Sequence, residues 1–341
     1  MVNSEYKLTK TKIKSGQQCH KKLWFDLHDP KNKEKKYILE KGLRFESVVR
    51  ERYSKGYGEV LDLSGVWKDV VSKTMLAIKS DDINVIFEGA FIYLDTLVRT
   101  DVLIRNIKGW ELLEIKSATK LNDAHISDIA IQSFIVKKCE VNLTSVKLIH
   151  INEDFTYEGD ANYKDLINVE NEITDEVIIE EKDVPNSIKD LTPLINKKNF
   201  PNIAMGDHCK KPYVCDYQDR CKASLPKTNL TSYDILPFVG KNKKNIEYCN
   251  ENGIEDLQKF PTKFFRDHKS YAPGYHKIIQ DAHKSNKSWF SPGLKGIFKD
   301  LNFPFFFMDF ETVQQGVPII KGTEPNYALP FQWSVHKLES I

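Results

Sequence analysis

The sequence predicts a mixed α/β fold, helices packed on a sheet, on three observations. Residues 36–53, KYILEKGLRFESVVRERY, place Ile38, Leu39, Leu43, Phe45, Val48 and Val49 at roughly helical intervals. Strand-like runs follow at 59–66, 74–79, 85–106 and 110–117, with Gly89 and Gly109 as the expected punctuation. Residues 122–140 return to helical spacing, with Asn122 or Asp123 as N-cap, before another strand-like run at 145–152. Helix, strands, helix, strand is the order of helices covering a sheet.

The remaining segments set the boundaries. The first 55 residues carry basic runs (KLTKTKIKSG, CHKKLW, PKNKEKKY), and residues 169–184 are strongly acidic. Such runs usually mark solvated faces. Residues 232–261 read as short helices around a Gly-containing turn, a helical linker with a helix-hairpin-helix flavour. A third unit begins near Leu301, where FPFFFMDFET reads as a buried strand ending in two carboxylates. The expected division is therefore 1–225, 226–300 and 301–341, and 341 residues suit two or more domains.

Composition narrows the class. With 40% hydrophobic and 29% charged residues the chain is a folded globular type rather than a disordered one. Fifty Lys+Arg against 48 Asp+Glu leave +2, which neither demands nor excludes a nucleic-acid partner. The first residues, MVNSEYKLTKTKIKSG, lack the apolar centre of a secretory signal, and no window supplies 18 apolar residues for a membrane span. Six cysteines in such a chain point to reduced thiols, free or on metal, and to a cytoplasmic protein without a membrane partner.

The chemistry centres on GWELLEIKSATK, residues 109–120. Side chains alternate along a strand, so Glu114 and Lys116 share a face with Ile115 on the other. Asp101 precedes them in the pattern D-x12-E-I-K. Two carboxylates suit Mg²⁺ or Mn²⁺. Such a cation polarises a phosphate and acidifies a bound water. A lysine beside it can orient that water or stabilise charge on the phosphate oxygens. Alone, E-x-K in a chain this rich in Glu and Lys is a weak signal.

The ordered pieces over residues 7–224 strengthen it. KIKSGQQCHKKLW, KGLRFESV, VRTDVLI, LEIKSATK and DIAIQSF together resemble the RecB-type branch of the PD-(D/E)XK nucleases, including the iron–sulfur exonucleases of CRISPR adaptation and recombination. The resemblance implies a restriction-endonuclease-like mixed sheet flanked by helices. It implies catalytic roles for Asp101, Glu114, Lys116 and Gln132, and Mg²⁺ or Mn²⁺ on Glu46, Asp101, Glu114 and the Ile115 carbonyl. Where the family commonly has a histidine four residues after a glycine, this sequence offers Glu46, a departure that keeps an oxygen ligand. The implied activity is hydrolysis of nucleic-acid phosphodiesters, DNA before RNA, by an exonuclease. A nucleic-acid-binding scaffold that keeps the fold without useful turnover is the alternative. Lys12, Lys14, Lys21 and Lys22 could hold backbone phosphates, and Trp24, Tyr57 or Trp67 could stack bases.

HCKKPYVCDYQDRC sets Cys209, Cys215 and Cys221 at equal spacing. A closed tetrahedral site needs a fourth ligand, for which Cys19 is the candidate. The resemblance implies a [4Fe–4S] cluster on these four cysteines, and spacing alone leaves zinc as an alternative. Cys139 and Cys249 read as packing residues. Finally, Asp309 and Glu311 in FFFMDFET resemble the first motif of DnaQ-like (RNase H fold) exonucleases. Such a domain needs roughly 100–150 more residues, so the expectation is a partial domain with an incomplete second site.

Overall fold

A computed structural model of the chain describes residues 7–31, 36–170, 173–223, 247–249, 251–254, 256–265, 274–299 and 301–340. The chain divides into two compact units, one of Met1–Gln218 with Asp309–Ser334, the other of Asp219–Met308 with Val335–Ile341.

The first unit is mixed α/β, as expected. Its strands are β1 (Leu8–Thr9), β2 (Glu59–Asp62), β3 (Ile83–Tyr93), β4 (Thr96–Asn106), β5 (Gly109–Lys116), β6 (Leu143–Ile151) and β7 (Ile167–Glu170). They form one sheet in the order β2-β3-β4-β5-β6-β7, with the short β1 paired to β4. The helices are α1 (Lys10–Gln18), α2 (His20–His28), α3 (Lys36–Tyr53), α4 (Val70–Lys79), α5 (Asp123–Lys138), α6 (Thr174–Glu181) and α7 (Val184–Leu191).

Two hairpins and one crossover build the centre of the sheet. The run 85–106 is two strands, because Leu94 and Asp95 adopt φ of 49° and 56°. Paired positive φ values suit a two-residue turn that matches strand twist. Between β4 and β5 the Asn106 side chain accepts from the amides of Lys108 (2.8 Å) and Gly109 (2.9 Å). β5 and β6 are parallel, so a crossover must join them, and α5 makes it. The side chain of Asn122 caps α5 by accepting from the His125 amide, as the sequence predicts.

Each face of the sheet has its own core. Leu103, Leu112 and Leu148 pack with Ile13 of α1, Ile129 and Ile131 of α5 and Leu191 of α7. Their strand neighbours Val102, Leu113 and Ile149 point the other way and pack with Phe45 and Val49 of α3. By parity, Asp101, Glu114 and Lys116 share the face covered by α1 and α5.

Several expectations are corrected. Residues 74–79 are helix, not strand: Val70, Thr74 and Ala77 are buried at helical spacing while Leu76 is exposed. A short apolar run fits either period, and packing decides here, because the Thr74 hydroxyl donates to Val70 O (2.8 Å) and accepts from Ala90 N (2.9 Å) of β3. Gly89 lies inside β3 rather than in a turn. A Cβ there would stand 3.2–3.3 Å from Thr100 Oγ1, Ile86 Cγ2 and Thr74 Cγ2, so the glycine permits close approach of helix and sheet. The acidic run beyond residue 169 is not merely a solvated surface. It includes the end of β7 and α6, whose Val177 is fully buried.

The C-terminal region gives a two-stranded sheet of β8 (Phe305–Gln314) and β9 (Ala328–Leu338). β8 is a strand as predicted, but it is exposed rather than buried, Phe306, Phe307, Met308 and Phe310 included. The segment between the strands is tied down within the first unit. Val317 joins the second core, the Tyr163 hydroxyl donates to Pro318 O (3.1 Å), and Tyr157 exchanges backbone bonds with Gly322 and Thr323.

In the second unit, Cys249, Leu257 and Phe260 form a small core. Gln280 on the helix Tyr275–Ser285 donates to the carbonyls of Leu257 (2.9 Å) and Phe260 (2.7 Å). Much of the helix-hairpin-helix-like segment, residues 232–246, lies outside the described residues. Among the described residues, no helix is long and apolar enough to cross a membrane.

Candidate functional site

The end of β5 delivers Glu114 and Lys116 to the face covered by α1 and α5, and β4 delivers Asp101 beside them. The Asp101 carboxylate accepts from the Ile115 amide at 2.6 Å. Glu114 is 2% exposed. Its Oε1 accepts from Lys116 Nζ at 2.8 Å and from Lys10 Nζ at 2.7 Å. Its Oε2 is buried with no hydrogen-bond partner. Lys116 also donates to Asp128 Oδ2 at 2.8 Å, and Lys14 Nζ stands 3.6 Å from Asp128 Oδ1.

These contacts drive the two carboxyls apart. Burial, then the neighbouring Glu114 charge, push Asp101 well above the usual carboxylate range, against the pull of Lys10 and the Ile115 amide. Burial would push Glu114 up too, but Lys10 and Lys116 outweigh it and hold that carboxyl down at about 2. Burial would lower the Lys116 ammonium, yet Glu114 and Asp128 raise it above its ordinary value. One carboxylate firmly ionised beside one that resists ionisation is typical of sites tuned for acid–base or metal chemistry.

A stability prediction follows from Asp101. Because its folded pKa is raised, it stabilises the fold below its unfolded pKa, and that contribution is lost as pH rises through the folded value. Asp101→Asn removes the titration and keeps an acceptor for the Ile115 amide. Melting in EDTA is expected to show the variant gaining on the parent as pH rises above the ordinary carboxylate range, by about 2–4 °C for each kcal/mol of relief. A gap that is constant or shrinks with pH would contradict this reading.

The other predicted site residues are placed as follows. Gln132 is fully buried on α5 and donates to the Arg99 carbonyl at 3.1 Å, tying the helix to β4 two residues before Asp101. Glu46 lies on α3, where a Cβ on Gly42, one turn earlier, would stand 3.9 Å from Ser117 Oγ just past the end of β5. Its Oε1 accepts from Arg50 Nε (2.8 Å) and Nη2 (2.6 Å), and Arg50 also reaches Glu88 and Asp62. The structure thus gathers Asp101, Glu114 and Lys116 and engages Glu46 with Arg50.

Lys14, Lys21 and Lys22 are committed inside the fold: Lys14 to Asp128, Lys21 over the Phe200 ring, Lys22 to Asp26. Trp24 donates to Lys197 O, whereas Trp67 is 73% exposed with the Arg99 guanidinium 5.1 Å from its ring. Asp309 and Glu311 are exposed on β8.

Sequence reasoning passed over Lys10 and Asp128. Lys10 sits in a lysine-rich run that marks no single member, and only the pairing of β1 with β4 carries it to Glu114. Asp128 lies one helical turn before Gln132, a spacing that would have flagged it.

Among the described residues, no three His, Cys, Asp or Glu side chains are already arranged around a metal position. Mg²⁺ commonly takes only one or two carboxylates and fills its shell with water and phosphate oxygens. A buried, unpartnered carboxylate oxygen needs an explanation, and a role as cation ligand is one. Glu114 Oε2 beside Asp101 fits that description.

Cys19, Cys209 and Cys215 lie in one neighbourhood elsewhere. Cys19 joins α1 to α2 in extended conformation. Gln18 beside it donates to the carbonyls of His208 (2.9 Å) and Tyr213 (2.6 Å), fastening that corner to the Cys209–Cys215 loop. The Cys215 amide donates to Cys209 O at 2.9 Å, and both side chains are buried. Burial pushes the Cys215 thiol up, and Cys209 and Cys19 add to it through their proximity. None of the six cysteines is in a disulfide. Cys221 lies on α8 (Gln218–Ala223). Cys139 and Cys249 pack as predicted, the first against the main core and the second in the small one.

Residues 306–340, which span most of β8 and β9, match a family described as a domain of unknown function, DUF2779. No curated protein matches the chain. Among solved structures the chain is similar to the crystal structure of SSO0001, at 18% identity over 62% of this chain and 97% of that one. The TM-score is 0.26, and the likeness carries no argument about fold or function.

Proposed function

We propose that the chain is a metal-dependent nuclease of the RecB-like PD-(D/E)XK kind, acting on DNA before RNA and from an end. One observation carries the reading: Glu114 has one oxygen held by two lysines and the other buried, unpartnered and beside Asp101. Asp101, Glu114 and the Ile115 carbonyl would hold Mg²⁺ or Mn²⁺. When bound, such a cation polarises the phosphate and acidifies a water. Lys116, kept cationic by Glu114 and Asp128, is suited to orient the attacking water and to stabilise charge on the phosphate oxygens. Gln132 holds the strand that carries Asp101.

Cys19, Cys209 and Cys215, with Cys221 as the fourth ligand that the sequence offers, would bind a [4Fe–4S] cluster in a structural role. Their thiol donor set also suits zinc. β8, with Asp309 and Glu311, would open a DnaQ-like domain.

The test is cleavage of end-labelled single- and double-stranded DNA and RNA by anaerobically purified protein with Mn²⁺ or Mg²⁺. Metal-dependent shortening of the label is expected, and EDTA is expected to stop it. Binding that persists in EDTA, with no cleavage under any metal, would favour a scaffold without turnover. The Arg50 pairing of Glu46 is the observation on that side.

The exposed Trp67 offers a stacking platform two strand positions from Asp101, through Arg99. Trp67→Ala is expected to weaken single-stranded DNA binding by about 1–3 kcal/mol, measured by fluorescence anisotropy. Duplex binding is expected to change less, and equal losses on both substrates would remove the stacking role.

A further inference from the structure

Six charged groups gather at the end of β5: Asp101, Glu114 and Asp128 against Lys10, Lys14 and Lys116. Counted formally, three carboxyls meet three ammoniums, and because Asp101 resists ionisation the cluster carries no excess of negative charge before any divalent ion arrives. Lys10 makes the difference. Lys116 already serves Glu114 and Asp128, and Lys14 serves Asp128. Lys10 is the second cation on the Asp101–Glu114 pair, which without it would meet a divalent ion with Lys116 as its close counter-charge.

Nor is Lys10 a loose surface lysine. It follows β1 directly, and β1 pairs with β4 through Leu8↔Thr96 and Thr9↔Leu97. That register anchors its backbone beside the strand that carries Asp101. Its Nζ lies 2.7 Å from Glu114 Oε1 and its side chain is 23% exposed. Burial would lower its ammonium, but Glu114 and Asp101 outweigh burial and keep it cationic.

We propose that Lys10 is a positioning residue that aims Glu114 Oε2 toward the metal while its charge keeps a divalent cation weakly bound until a phosphodiester arrives. A double positive charge entering a neutral, largely dry cluster is poorly compensated, and charges cost more there than in water. A phosphate brings the missing negative charge, so cation and nucleic acid bind each other's complexes more tightly than either binds alone. By linkage, the two enhancements are equal. Metal bound without substrate is then scarce, which limits hydrolysis away from a seated strand. The proposal rests on the nuclease reading of this site and deepens it.

The experiment is a Mn²⁺ titration of the full chain, read by the electron paramagnetic resonance of free Mn²⁺. It is run with and without a phosphorothioate single strand that resists cleavage. The parent is compared with Lys10→Gln, Lys10→Arg and Glu114→Gln. Lys10→Gln keeps a donor for Glu114 Oε1 and loses the charge. It is expected to bind Mn²⁺ at least about tenfold more tightly than the parent without DNA, and to gain less from DNA. Lys10→Arg keeps the charge and is expected to match the parent.

Structural damage alone would weaken Mn²⁺ binding, so tighter binding separates the charge role from a packing role. Unchanged or weaker binding by folded Lys10→Gln would overturn the proposal. So would a parent protein whose Mn²⁺ affinity DNA does not raise, a result that needs no variant to fold. If Glu114→Gln binds Mn²⁺ as the parent does, the metal site itself falls, a failure distinct from that of the Lys10 role.

Discussion

Lys116→Ala is expected to reduce metal-dependent cleavage by at least about a hundredfold, and toward a thousandfold, while leaving the chain folded. Removing one electrostatic stabiliser of a developing oxyanion typically costs this much. Two effects combine here. The ammonium that would face the phosphate is lost, and Glu114 loses a donor to the oxygen it shares with Lys10. Asp128 also loses its 2.8 Å partner, though Lys14 remains within 3.6 Å of it. Folding should survive, because neither partner is left without a cation. Lys116→Arg would restore charge without the compact geometry of an ammonium and is expected to recover only part of the rate. The measurement is single-turnover cleavage, with far-ultraviolet circular dichroism as the control on folding. Equal rates for parent and Lys116→Ala would move the chemistry away from the end of β5.

Cys19→Ser is expected to strip the proposed metal centre and to lower stability more than any substitution in the candidate site at the end of β5. Cys19 and Cys209 are 190 residues apart in sequence, and a cluster joining them closes a very long loop. The loop-closure entropy removed from the unfolded chain is on the order of 5 kcal/mol. Without the cluster, that corner keeps the pair of bonds from Gln18, the Tyr217 hydroxyl donating to Asp26 (2.7 Å), Lys31 donating to Asp216 O (2.7 Å) and the packing of Phe25 on Tyr217, with rings 5.0 Å apart. The parent, purified without oxygen, is expected to contain iron and acid-labile sulfide in equal amounts, and Cys19→Ser neither. Zinc without sulfide would replace the iron–sulfur assignment by a zinc one. A metal-free parent that melts with Cys19→Ser would end the cluster proposal.

The strand of the candidate site was legible because strand parity is strict. Placing Glu114 and Lys116 on one face needed only the alternation of β5, and Asp101 joined them because β4 runs beside it. Helix α3 was legible for a similar reason, since its apolar residues recur at helical spacing, whereas α5 is buried all round from Ile129 to Val136 and was marked chiefly by its Asn122 cap. What the sequence hid was set by contacts between distant residues. Nothing local in TMLAIK distinguishes strand from helix until Thr74 meets Ala90 across a gap that Gly89 keeps narrow.

Lys10 was hidden by its neighbours, a lysine among lysines, and is singled out only by the two-residue pairing of β1. The partners of Glu46 were hidden differently: its helix was predicted correctly, but its pairing with Arg50, which also reaches Glu88 and Asp62, depends on contacts between distant residues.

The most direct test of the central claim is to locate Mn²⁺ by its anomalous scattering in crystals of the chain with a cleavage-resistant DNA strand. A single strong peak within coordination distance of Glu114 Oε2 and the Asp101 carboxylate is the predicted result, with a phosphate oxygen completing the shell. Mn²⁺ bound elsewhere, or DNA seated with Glu114 Oε2 still unpartnered, would contradict it.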